Sequence, residues 1–448
     1  MSMMFDPADL DTLRKSLTTL DKGFADLPDF TPEVDRDALD AVLIEVARKM
    51  QENYPYHHPL YAGQMLKPPH PVARLAYAVS LWLNPNNHAL DGGIASSAME
   101  KECIGALGSM FGWDAPLGHI CGGGTMANLE ALWVGGRLHP DKKIVASGQT
   151  HYTHGRISEV LSLGFDEAAA KPDGSMDVKS LRQLLDAGDV GTVVVTLGTT
   201  GVGAIDPLPE ILELRETYDF RIHVDAAYGG YFHISSKLST DARQAFDRIH
   251  EVDSIVIDPH KHGLQPYGCG CILFRDPEVG ALYKHDSPYT YFTSGDLHLG
   301  EIGLECSRAG ASAVALWATQ KLLPMTPGGD FAQSMDKCLL AARALWHRLD
   351  ESDQFRPLMQ PQIDIVVYAA DAEDIAASNS KANQIFARAA EQDLHLALIE
   401  LPTEMVRHYW PELNGIEETI TCLRSCLMKP EHIDWVDQIF SILKESAK

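Results

Sequence analysis

No stretch of eighteen or more apolar residues occurs in the sequence, so none reads as a bilayer-spanning helix. The opening residues, Met1 to Leu20, lack the basic start and apolar run of a secretory signal and carry Asp6, Asp9 and Asp11 instead. Positive charge is scarce: 37 Lys and Arg stand against 62 Asp and Glu, a formal net charge of −25. That balance argues against nucleic acid or an anionic membrane as the partner, since both reward clustered Lys and Arg. Cysteine is thin as well. Eight in 448 residues are too few for a disulfide scaffold, and neither Cys269-Gly-Cys271 nor Cys422-Leu-Arg-Ser-Cys426 has the spacing of a zinc knuckle or ribbon. Buried free thiols in a reduced, cytoplasmic setting are the expectation, with no metal. There is no internal repeat or low-complexity segment. What remains is 45% hydrophobic and long enough to bury a large core.

Apolar residues recur at helical spacing from Asp9 to about Asn53, as in Leu39, Val42, Leu43, Val46 and Met50, and Pro55 ends the run. Residues 1–60 therefore read as an N-terminal helical arm. His57 to Pro71 is irregular, and a helix follows over Val72 to Leu83. Short β-branched runs then alternate with helical segments: Ile144–Ala146, Thr192–Thr196, Arg221–Val224 and Ser254–Ile257. Uninterrupted apolar strands of this kind are buried on both faces of a parallel sheet, with ligand loops at their carboxyl ends. The expected fold is thus α/β with a mainly parallel central sheet. Pro324 and Pro327-Gly328-Gly329 close the helix Ala311 to Leu323, which divides a large domain, 61–325, from a smaller α+β domain, 326–448, with strands at Ile363–Tyr368 and Thr419–Arg424.

Polar clusters follow the predicted strands. Asp258-Pro259-His260-Lys261 puts a lysine at a strand mouth, where an unpaired charge is awkward unless something uses it. His223-Val224-Asp225-Ala226-Ala227 puts a carboxylate at the end of another strand, followed by small residues against which a flat ring could rest. Together they meet the two needs of pyridoxal 5'-phosphate (PLP): an amine for a Schiff base, at Lys261, and a partner for the ring nitrogen, at Asp225. Gly122-Gly123-Gly124-Thr125 runs into a helix from Ala127 to Arg137 and suits a phosphate; it is neither a Walker loop nor a dinucleotide turn. Ser147 to Tyr152 brings His151 after a strand, and Thr196 to Gly201 brings hydroxyls. His151 and His154 also admit a metal reading, but no carboxylate or cysteine nearby in sequence completes such a site.

His151, the Gly-Thr-Thr run at 198–200, His-Val-Asp-Ala-Ala-Tyr at 223–228 and Asp-Pro-His-Lys at 258–261 resemble, in order and spacing, the group II PLP-dependent decarboxylases. That family includes the aromatic amino acid, tyrosine, glutamate and aspartate decarboxylases, and the resemblance spans roughly residues 57 to 320. It implies PLP fold type I, the aspartate aminotransferase-like fold. It also implies that Lys261 holds the cofactor, Asp225 binds the ring nitrogen and His151 stacks on the ring and orients the substrate. Thr200 and Ala227 pack against the ring, and Gly124, Thr125 and His260 hold the phosphate, joined by Ser307 of a neighbouring subunit. A homodimer with its site at the subunit interface, wrapped by the N-terminal arm, is implied as well. The sequence departs from the family at His262, where a bulky apolar residue is usual, and in a shorter segment from Tyr283 to Ser307, which leaves the loop tyrosine as Tyr289 or Tyr291. Gln64, in Pro59-Leu60-Tyr61-Ala62-Gly63-Gln64, is a candidate to reach the substrate. Arg424 is a candidate ligand for its carboxylate, with a surface salt bridge as the alternative.

These readings converge on decarboxylation of an L-amino acid to its amine. An aminotransferase, an aldehyde-forming decarboxylase and a carbon–carbon lyase are alternatives on the same scaffold, since fold does not fix chemistry. A non-catalytic PLP-binding regulator is the remote one, with no helix-turn-helix module or basic region to support it.

Overall fold

The computed structural model describes residues 6–284 and 298–448. Seven strands, β1 (Leu117–Cys121), β2 (Lys143–Ser147), β3 (Phe165–Ala168), β4 (Val190–Thr196), β5 (Arg221–Asp225), β6 (Ser254–Ile257) and β7 (Gly270–Phe274), form one sheet. Their order is β1-β7-β6-β5-β4-β2-β3. Strands β2 to β6 pair in parallel, while β7 runs antiparallel to both of its neighbours, β6 and β1. Every residue of β4 is buried, as a strand covered by helices on both faces must be. Full burial of a Val side chain contributes roughly 1.5–3 kcal/mol over exposure, so the run Val193-Val194-Val195 sits most favourably at the sheet centre.

Register matters more for function. Thr196 pairs with Asp225, and Asp225 with Val256, so the carboxyl ends of β4, β5 and β6 finish nearly level. Whatever follows these strands therefore meets at one edge of the sheet.

A second, antiparallel sheet holds β8 (Phe355–Pro357), β9 (Ile365–Ala370), β10 (Ala397–Pro402) and β11 (Thr419–Cys426) in the order β10-β11-β9-β8. Its core gathers Leu345, Tyr368, Ile385, Leu423 and Ile439, and takes in Leu60 and Ala62 from far upstream. Ala62 bridges this sheet, donating to His395 O at 2.9 Å and accepting from Cys426 N at 2.7 Å. The helices Pro7–Lys22 and Arg36–Met50, capped by Asp6 and Asp35, bury none of their own residues within the chain. No helix among the described residues is long and apolar enough to cross a membrane.

Three strands of the large sheet, β1, β3 and β7, have no uninterrupted β-branched run. Gly118 and His119 dilute β1, and Gly270 and Cys271 dilute β7. Gly270 is there for contact. A Cβ on it would lie 2.4 Å from the backbone of Gly123, so β7 packs directly under the glycine-rich turn. Gly270→Ala must push that turn away, and overpacking of this kind typically costs about 1–3 kcal/mol. Calorimetry is expected to show a melting temperature lower by a few degrees; an unchanged value would mean that the turn is not clamped by the strand.

Candidate active site

The level ends of β4, β5 and β6 open into a cavity of about 570 Å³, and the glycine turn forms its opposite wall. Gly124, Thr125, His151, Thr200, Asp225, Ala227, His260 and Lys261, all named from sequence, line it together.

Asp225, 6% exposed, is held from three sides. Its carboxylate accepts from His154 Nε2 at 2.8 Å, from Asn128 Nδ2 at 3.2 Å and from Ala227 N at 3.0 Å. Burial alone would push the carboxyl pKa up. The His154 hydrogen bond and charge, the Lys261 charge and the Ala227 N–H outweigh it and hold the group well below the usual carboxylate range. Behind Asn128 stands His223, whose Nε2 is 2.8 Å from Asn128 Oδ1 and whose Nδ1 is 2.9 Å from Ser254 Oγ. Burial pushes the His223 pKa down to about 3, so its ring is neutral and has one N–H to give. That hydrogen goes to Asn128 Oδ1, because the amide oxygen can only accept. Ser254 then donates to His223, His223 to Asn128, and Asn128 to Asp225, a relay that fixes the Asn128 amide with its NH₂ toward the carboxylate.

Lys261 Nζ lies 3.0 Å from Asp258 Oδ2. Burial would lower its pKa, but the Asp258 and Asp225 carboxylates and the Asp258 hydrogen bond overcome this and raise it. His151 lines the same cavity, with Nδ1 2.8 Å from Thr153 Oγ1. Burial lowers its pKa, which favours a neutral ring.

The residues present fit PLP. The helix Gly124–Leu138 starts from Gly123 (φ +152°) with no side-chain cap, leaving its first N–H groups to an outside acceptor. An anion already uses this turn: Glu305 Oε2 accepts the Gly122 N–H at 3.1 Å. His260 Nδ1 is buried without a protein partner on the same cavity. Its ring centroid is 4.8 Å from that of Tyr267, which donates to Met65 O at 3.4 Å.

Other candidates fall elsewhere. Gln64 is exposed and not on the cavity wall. Ser307 Oγ accepts from Asn86 Nδ2 at 3.3 Å within its own chain. The surface salt bridge considered for Arg424 is corrected: the residue is 6% exposed, on β11, with its guanidinium 3.3 Å from Cys426 Sγ. It forms no ion pair among the described residues. Tyr289 and Tyr291 lie outside the described residues. The metal reading of His154 fails because its Nε2 is committed to Asp225. Sequence reasoning missed Asn128, Asp258, Glu305 and Tyr267. Of these, Asp258 alone carried a signal, as part of the strand-end motif.

A parallel-rich sheet with a lysine and a carboxylate at adjoining strand ends, opposite a helix N-terminus, is the arrangement of a fold type I PLP enzyme. Residues 133–371 match the pyridoxal-dependent decarboxylase conserved domain. The chain is 31% identical over 309 residues to a probable L-tyrosine/L-aspartate decarboxylase of Methanothermobacter thermautotrophicus, covering 68% of this chain and 82% of that one. It is 27% identical to the L-tyrosine decarboxylase of Enterococcus faecium, covering 92% and 88%. The crystal structure of Oryza sativa TDC with PLP and tryptamine superposes with a TM-score of 0.79 at 15% identity, covering all of both chains. The protein belongs to the family of pyridoxal-dependent decarboxylases and is a PLP-dependent carboxy-lyase.

His154→Phe tests the electrostatics of Asp225. The phenyl ring fills the space but gives no hydrogen bond, so the Asp225 pKa rises. A carboxylate with a depressed pKa does its work above that pKa and loses it as pH falls. The variant is therefore expected to release cofactor at a higher pH than wild type as the solution is acidified, followed by absorbance after desalting. Coincident release curves would show that His154 does not hold the charge.

Proposed function

We propose that the protein removes the α-carboxylate of an L-amino acid as carbon dioxide and releases the amine, with Lys261 carrying the cofactor. The observation that supports this most is the meeting of Lys261 and Asp225 in one cavity faced by an uncapped helix N-terminus. When bound, PLP supplies a carbonyl carbon for the Lys261 amine and a ring that accepts the electron pair left by departing carbon dioxide. Asp225, held ionised, keeps a proton on the ring nitrogen. Gly124, Thr125 and His260 would hold the phosphate, and Thr200 and Ala227 would border the ring. His151, whose pKa burial lowers, would lie against the ring without adding a charge there and would leave a nitrogen to orient the substrate. Asp258 holds the Lys261 ammonium beside the cavity and is placed to receive its proton. Arg424, buried without an anionic partner among the described residues, is proposed to meet the substrate carboxylate and Gln64 to reach the substrate, although neither lines this cavity in the single chain. Tyr289, or Tyr291, is proposed to return a proton to the substrate carbon, a role that typically contributes about 10²- to 10⁴-fold.

A homodimer is proposed too, with Ser307 joining the neighbouring phosphate site. Phe24, Phe30, Val42, Leu43, Ile44 and Val46 in and between the first two helices are exposed in the single chain, an apolar surface a partner would cover. A large domain of 61–325, a small one of 326–448 and an arm of 1–60 complete the organisation. A cytoplasmic setting suits eight cysteines that are all free.

The test is carbon dioxide release from a panel of the twenty amino acids and cysteine sulfinate without added keto acid, with products identified by mass spectrometry. Tyrosine and aspartate come first, from the names of the relatives. Amine with stoichiometric carbon dioxide is expected, abolished in Lys261→Ala, and Tyr289→Phe is expected to divert product from amine to carbonyl compound. Turnover that requires a keto acid would make the enzyme an aminotransferase, and carbonyl product from the wild type an aldehyde-forming decarboxylase.

A further inference from the structure

Lys67 and Lys429 are buried, 9% and 4% exposed, and they come together from distant parts of the chain. Lys67 lies on the loop before the helix Pro71–Leu81, and Lys429 on the turn after β11. Lys67 Nζ donates to Met428 O at 3.0 Å. Lys429 Nζ donates to Tyr61 O at 2.6 Å and stands 5.3 Å from the Tyr61 ring centroid. An ammonium has three hydrogens, so each keeps donors beyond these carbonyls. Among the described residues neither forms an ion pair with a carboxylate. An unpaired buried charge is costly, and two on one cavity cost more.

Both lysines line a second cavity, of about 460 Å³, that shares no residue with the first. Phe331, Met335, Leu264 and Leu323 give it apolar walls. His262, next in sequence to Lys261, lines it as well, so two adjacent residues face different cavities. We propose that this cavity is a binding site for a small organic carboxylate, whose oxygens bridge the Lys67 and Lys429 ammonium groups and whose apolar part lies against Phe331, Met335 and Leu264. Two ammonium groups with hydrogens to spare on one cavity suit the two oxygens of one carboxylate. The space is too large for an inorganic ion to fill, and Asp330 and Glu431, also on the wall, disfavour a more highly charged anion such as phosphate. Occupancy of this cavity does not depend on the decarboxylase reaction, since none of its lining residues lines the first cavity.

Proton linkage gives the site a signature. Burial, with the charge of Lys67 added, pushes Lys429 down to about 7, and burial lowers Lys67 also. Glu431, Cys426 and Cys338 also act on Lys429, and the imidazoles of His58 and His432 interact with its charge. A bound carboxylate raises the Lys429 pKa. Above neutrality, binding therefore takes up a proton and weakens as pH rises.

The cofactor-loaded enzyme would be titrated calorimetrically with sodium benzoate, with neutral benzamide and sodium phosphate as comparators, in buffers of different ionisation enthalpy. One benzoate per chain is expected outside the main cavity, with proton uptake above neutrality. Affinity should fall at least tenfold in Lys67→Met and Lys429→Met, and benzamide and phosphate should bind far more weakly. Crystals of the wild type grown with 4-bromobenzoate should place bromine between Leu264 and Phe331 by anomalous scattering, which decides the matter even where a variant fails to fold. Absence of benzoate binding, unchanged affinity in both folded variants, tighter binding of phosphate than benzoate, or bromine confined to the main cavity would each overturn the proposal.

Discussion

A carboxylate that must stay ionised inside a buried sheet edge makes demands on everything around it. Water stabilises an exposed aspartate at no cost to the fold, whereas a buried one reverts to its neutral form unless donors and positive charge replace that water. Asp225 receives His154, Asn128 and the Ala227 N–H. Each donor has its own requirement: Asn128 is oriented by His223, and His223 by Ser254 on the neighbouring strand β6. The parallel register of β5 and β6, which sets His223 opposite Ser254, is thus part of the electrostatics of the site.

The other half of the cavity obeys a complementary constraint. Lys261 is kept charged by Asp258, and Asp258 in turn packs against the glycine turn, where a Cβ on Gly124 would lie 2.7 Å from its Oδ2. Small residues are needed at 122–124 for two reasons: N–H groups face the cavity, and two layers of protein press on the turn from behind, Asp258 on one side and Gly270 on the other. Function and packing ask for the same residues here.

Much of this was legible in the sequence because strand ends in a parallel sheet gather whatever follows them. Runs such as Val193-Val194-Val195 mark the strands, and the polar clusters after them then need no further argument to share a site. Asp258 gave a weaker signal and Asn128 none, since what matters about them is a fold over the glycine turn in the first case and a contact across 97 residues in the second. His154 was visible, yet its partner was not, because a histidine three residues after another suggests a ligand pair until the helix turns one of them inward. Strand β7 escaped notice because an antiparallel insertion breaks the strand–helix alternation, and Lys67 with Lys429 because Lys67 donates to a carbonyl, Met428 O, 361 positions along the chain.

Nitrogen-15 NMR of the enzyme loaded with ring-labelled PLP measures the consequence of the buried carboxylate directly. The wild type is expected to show a protonated ring nitrogen at neutral pH, and Asp225→Ala, which leaves the His154 and Asn128 donors without their acceptor, an unprotonated one. An unprotonated nitrogen in the wild type, or the same protonated signal in both proteins, would contradict the account.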